Sequence, residues 1–85
     1  MADSRRILMV ALHNKAEALR MAGGLTLLDD RIEVVVWDGM PAGPATAEQL
    51  AALEFAEVPV AELAPARDLA ALARQIMASD VVYCV

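Results

Sequence analysis

Apolar and polar positions fall along this chain in two alternating patterns. One is a short run with almost no polar interruption, and the other is an apolar stripe at three- and four-residue spacing. Residues 32–40, IEVVVWDGM, are the clearest case of the first. Three valines and a tryptophan in sequence fit a strand buried on both faces better than one with a wet face. Asp38-Gly39 then marks the turn out of the sheet. Residues 7–12, ILMVAL, form a second run of strand length, ending at His13-Asn14. Asn14 is a good N-cap for a helix over residues 15 to about 28, where Ala16, Leu19, Ala22 and Gly23 make the stripe. Gly23-Gly24 either lets this helix lie close on the sheet or ends it, and continuation is favoured. Asp29-Asp30-Arg31 is the turn into the next strand.

Gly39 to Pro44 carries two glycines and two prolines in six residues, the plainest loop in the chain. Thr46 with Gln49 matches a capping box, and Leu50, Leu53 and either Phe55 or Ala56 supply the stripe of the helix that follows. EVPVAEL, residues 57–63, reads as a third strand. Pro59 pushes its pairing toward residues 60–63, because proline cannot donate to a ladder. Pro65 suits the first turn of a third helix. Leu69, Leu72, Ala73, Ile76 and Met77 give that helix the cleanest stripe in the sequence, one that reads as core. Ser79-Asp80 closes it, and VVYCV, residues 81–85, is the last strand.

The order βαβαβαβ implies a parallel sheet with right-handed crossovers. The expected fold is α/β: one domain over residues 1–85, a small flavodoxin-like three-layer sandwich with a four-stranded parallel sheet in the order 2-1-3-4 and three helices. Ligands of such sheets bind outside the carboxyl ends of the strands, where the strand order reverses. With that order the point lies between strands 1 and 3. It gathers His13, Asn14 and Lys15 with residues 62–64, Glu62 first, and has Asp38 and Gly39 nearby.

Composition changes this picture in one respect. Hydrophobic residues make up 59% of 85, and the mean hydropathy is +0.48. A chain this short buries only about 60–65% of its unfolded surface, so apolar surface is left for a partner and a homo- or hetero-oligomer is expected. No apolar run is long enough for a membrane span. The two arginines before residues 7–12 imitate a leader, but the run is short and lacks a small-residue cleavage site, so it reads as the first strand of a cytoplasmic protein. Net charge is −5 with seven scattered basic residues, which disfavours direct nucleic-acid binding.

Candidate chemistry is sparse. The single cysteine and single histidine exclude an internal disulfide and a multi-cysteine or His-rich metal site, and no cofactor is expected. His13 could donate to a ligand or shuttle a proton; its plainer reading is a strand-end histidine. Asn14 and Lys15 at a helix N-terminus could hold an anion, but HNKAEA is not a glycine-rich phosphate loop. Asp38-Gly39 could serve a cation, though a turn is the simpler reading. Cys84 could carry a persulfide if its thiolate is reachable. Inside a strand it is expected to be buried and inert. Glu62 stands alone and reads as a surface or interface carboxylate.

Four stretches together resemble the DsrE/DsrF/DsrH group of small sulfur-relay proteins. They are ILMVAL with its alanine-rich helix, EVVVWDGM, VPVAELAPARDL and the closing ASDVVYCV. Within them Asp38-Gly39-Met40 matches the family's step after strand 2, and Asp68-Leu69 its helix start. The resemblance implies a flavodoxin-like fold, oligomeric assembly, sulfur-transfer partner proteins and, in catalytic members, a sulfur-accepting cysteine just after strand 3. The corresponding stretch here, Ala61 to Ala64, has none, and Cys84 does not match that position. The resemblance therefore implies a non-catalytic subunit acting through protein contacts. The alternatives are a sulfur carrier using Cys84, with His13 modulating the thiol, and a small-ligand module at the strand 1/strand 3 cleft.

Overall fold

A computed structural model describes residues 5–26 and 31–85, so the turn expected at Asp29-Asp30 lies outside the described residues. The elements come in the expected order: β1 Arg6–Ala11, α1 Lys15–Leu25, β2 Arg31–Trp37, α2 Pro44–Phe55, β3 Val60–Leu63, α3 Leu69–Ala78 and β4 Val81–Cys84. All strand pairs are parallel, and the fold is the three-layer α/β sandwich expected.

The strand order differs from the expectation. It is β3-β2-β1-β4, not 2-1-3-4. The two apolar runs, β1 and β2, pair with each other over six positions from Arg6/Arg31 to Ala11/Val36 and take the middle of the sheet. The shorter β3 and β4, of four residues each, take the edges. The central pair is what the composition of the strands demands, since only a wholly apolar run can be covered on both faces.

This order sets the layers. The chain steps from β1 to β2 to β3 in one direction and then jumps back across the sheet to β4. Right-handed crossovers therefore place α1 and α2 on one face and α3 on the other. The packing follows. Ile7, Met9, Ala11, Ile32, Val34 and Val36 meet Ala18, Leu19, Ala22 and Leu53 on the α1/α2 face. Leu8, Val10 and Val35 meet Leu72 on the α3 face. Alternate residues of β1 and β2 thus point to opposite cores.

Helix ends show where local rules held and where they did not. The Asn14 side chain accepts from the Glu17 amide and caps α1. Helix α1 runs through Gly23 and Gly24 to Leu25. A Cβ added at either glycine would meet nothing within 4 Å, so neither glycine serves close packing and neither ends the helix. The expected capping box at Thr46 does not form. Helix α2 starts three residues earlier, with Pro44 in its first turn and Gly43 as N-cap at φ 119°, because proline's fixed φ suits a helix start. Thr46 is buried instead.

Pro65 does not open α3. It lies in a turn closed by the Arg67 and Asp68 amides on the Ala64 carbonyl, while the Asp68 carboxylate accepts from the Ala64 amide. Helix α3 starts after Asp68.

Candidate functional site

In the observed order the reversal point lies between β1 and β4, not between β1 and β3. His13 remains beside it, because β1 forms one wall in either topology. Here the crevice is closed by backbone bonds. The Leu12 and His13 amides both donate to the Val85 carbonyl, at 2.8 and 3.0 Å, and the Val85 amide donates to Val10. A ligand entering between β1 and β4 would have to displace these bonds.

The concavity that does form at the carboxyl ends lies on the β2 side of β1. It is an open hollow of about 690 Å³, bordered by His13, Asn14, Lys15, Asp38, Gly39 and Met40 among others. Five of the expected site residues therefore meet. Glu62 does not join them. It lies on edge strand β3 in register with Val36, with β2 between it and β1, and strands are about 4.8 Å apart. The misplacement follows directly from the changed strand order.

Strand β2 leaves the sheet through two consecutive left-handed residues, Asp38 at φ 65° and Gly39 at φ 100°. Aspartate tolerates that region better than most residues, and glycine occupies it without a Cβ penalty. The Lys15 ammonium reaches across from the first turn of α1 and donates to the Asp38 carbonyl at 2.9 Å and the Gly39 carbonyl at 2.7 Å. Its charge is thus spent on pinning the β2–α2 loop. The Asn14 side chain is likewise taken by the Glu17 amide.

Glu17 adds a carboxylate to the same helix turn and is ion-paired with Arg20. The Arg20 guanidinium, through its hydrogen bond and charge, holds the Glu17 carboxyl below the usual carboxylate range. The Asn14 oxygen therefore takes one of the free amides of the helix N-terminus and Glu17 sets a carboxylate in its first turn, which leaves less for a bound anion to gain. His13 is exposed. Among the described residues no group of three or more His, Cys, Asp or Glu side chains could hold a metal ion.

Cys84 corrects an expectation. It is exposed, not buried. It sits opposite Val10 on edge strand β4 and shares the face of α3. That helix packs over the centre of the sheet through Leu72, against Leu8, Val10 and Val35, and the end of the outer strand at Tyr83 and Cys84 stays exposed. Among the described residues no hydrogen bond joins the His13 imidazole to the Cys84 thiol.

The apolar stripes of α2 and α3 are also corrected. Phe55 is 91% exposed, Met77 88% and Leu69 64%, and Ile76 and Tyr83 are exposed as well. Of the α3 stripe only Leu72 is buried. The sequence did hold a signal for Phe55. Two residues are about 200° of helix, so a helix that buries Leu53 must turn Phe55 outward.

Compared with protein-family models, with curated proteins and with solved structures, the chain matches none. The resemblance to the DsrE/DsrF/DsrH group is carried by the residues quoted for it alone. Among the described residues no helix is long and apolar enough to cross a membrane.

Proposed function

We propose that this chain is a non-catalytic subunit that works through protein–protein contacts, of the kind the sulfur-relay resemblance implies. One observation carries the reading: large apolar side chains stand in solvent on both helical layers, Phe55 on α2 and Leu69, Ile76 and Met77 on α3. Single exposed apolar residues are ordinary on any surface. Several large ones on helices that each bury a leucine, Leu53 on α2 and Leu72 on α3, point to an interaction surface, with Phe55 and Met77 turned outward and Leu69 and Ile76 flanking Leu72. The hollow at His13 supports the reading too, since Lys15 and Asn14 there are committed to the backbone.

The test is photo-crosslinking in the cells that make the protein, with a photoreactive residue placed at position 55, at 77 or, as a control, at 13. Discrete protein adducts are expected from 55 and 77 and not from 13. A lack of adducts at both helical positions would sink the reading.

A sulfur-carrier role has one observation in its favour, the exposure of Cys84. Its thiolate would attack the outer sulfur of a donor persulfide, keep that sulfur as a new persulfide, and release the donor as a thiolate. Intact mass after exposure to a persulfide donor decides it. Gain of one sulfur atom, blocked by prior alkylation, supports the role, and an unchanged mass rules it out.

A further inference from the structure

We propose that the partner of this surface is a second copy of the chain, docked head to tail with the outer side of α2 against the outer side of α3. The inference rests on the protein-contact reading above and names the occupant.

The two outer stripes match in spacing, each ends in a large apolar residue, and their charges are complementary. On α2, Glu48, Ala51, Ala52 and Phe55 are all exposed and recur at intervals of three, one and three. On α3, Ala70, Ala73, Arg74 and Met77 are all exposed at the same intervals. The α2 stripe has Ala51 and Ala52 at its middle and the α3 stripe Ala73 beside Arg74, and each has one large apolar residue at its C-terminal end. Small side chains let helix axes approach to about 8 Å, the short end of the packing range, and the large ones then fill the space beside them.

The charges are opposite. Helix α2, PATAEQLAALEF, carries Glu48 and Glu54 and no basic residue. Helix α3, LAALARQIMA, carries Arg74 and no acidic residue. Among the described residues neither Glu48 nor Arg74 is in an ion pair. With the stripes centred on each other, Arg74 falls within about one turn of Glu48 whether the helices run parallel or antiparallel. Two α2 stripes, or two α3 stripes, would instead set like charges together. Such a rim pair selects the partner and orientation more than it adds affinity.

Topology fixes the kind of assembly. Helices α2 and α3 lie on opposite faces of the sheet, so two copies cannot exchange both contacts at once. The interface is heterologous, and repeating it builds a ring or an open chain of subunits, not a closed two-fold dimer. One helix pair buries little area, so association is expected in the weak range, at about 10 µM to 1 mM.

Sedimentation velocity of the full chain over that range, at about 0.05 M and about 0.5 M salt, is the first measurement. Species larger than a dimer are expected, fewer at high salt. The decisive arm uses Phe55→Asp and Met77→Asp, each checked for fold by circular dichroism. Each variant alone should stay monomeric, and their equimolar mixture should stop at a one-to-one dimer, because one keeps only its α3 surface and the other only its α2 surface. Glu48→Arg and Arg74→Glu provide a second pair: each should weaken association, and both together in one chain should restore it. A wild-type chain that is monomeric at about 1 mM, a blocked variant that still dimerises with itself, or a mixture that stays monomeric would overturn the proposal. If the chain is monomeric but positions 55 and 77 crosslink to a different protein, self-association fails while the protein-contact reading stands.

Discussion

Glu57 shows how much one residue can hold against its own preference. It follows α2 with φ 61°, a left-handed conformation that costs an L-residue about 1–2 kcal/mol. It is kept there by a closed set of backbone bonds. The Glu57 amide donates to the Glu54 carbonyl and the Val58 amide to the Leu53 carbonyl, the pair of bonds of a Schellman motif. Val58 then packs in the same core as Leu53. Glycine would keep these bonds without the strain, at the cost of a more flexible unfolded chain. Glu57→Gly is expected to raise stability by about 0.5–1 kcal/mol, a rise in melting temperature of about 2–8 °C for a domain of this size. A lower melting temperature would show that the carboxylate makes a contact that matters. Lys15 is a second residue whose role the sequence could not show. A lysine at a helix start reads as an anion ligand, and only the approach of the β2 exit shows that its ammonium serves two carbonyls.

The elements themselves were largely legible. The apolar runs became strands and the striped segments became helices, because backbone hydrogen bonding and side-chain period are local properties. Asn14 capped α1 as read, and β3 began after Pro59, at Val60. Local competition decided the misses. Pro44 outweighed Thr46 as the start of α2, and the Asp68 carboxylate closed a turn that Pro65 was expected to open as helix. Gly23 is the element-level test. Its backbone is helical and an added Cβ meets nothing, so Gly23→Ala is expected to stabilise α1 by about 0.5–1 kcal/mol, read from chemical denaturation. A destabilised variant would mean that the glycine pair has a purpose in this helix that its surroundings do not reveal.

Across the whole molecule the two faces of the sheet are unequally covered. The α1/α2 face buries ten residues in its core cluster, whereas the α3 face buries four, of which Leu72 alone comes from α3. A helix held by one buried side chain opens more easily than the sheet it covers. Hydrogen exchange at low protein concentration should therefore find the β1 and β2 amides most protected and the α3 amides exchanging well before them. Equal protection of α3 and β1 would contradict this ranking. The same imbalance leaves Leu69, Ile76 and Cys84 exposed, and it is one reason an apolar chain of this size retains exposed apolar surface.

The residue pattern alone settled the α/β class and the order of elements, since each follows from propensity and burial within a short window, whereas the sequence reading puts the second strand at an edge of the sheet. It also placed His13, Asn14, Lys15, Asp38 and Gly39 at strand and helix ends, and the structure gathers them. Strand order, the separation of Glu62 from that group, the exposure of Cys84 and the outward turn of Phe55 and Met77 came only with the tertiary structure. These depend on which strands become neighbours and how far a helix reaches across a sheet. Such long-range choices are made by the whole core at once, and no single stretch of sequence encodes them.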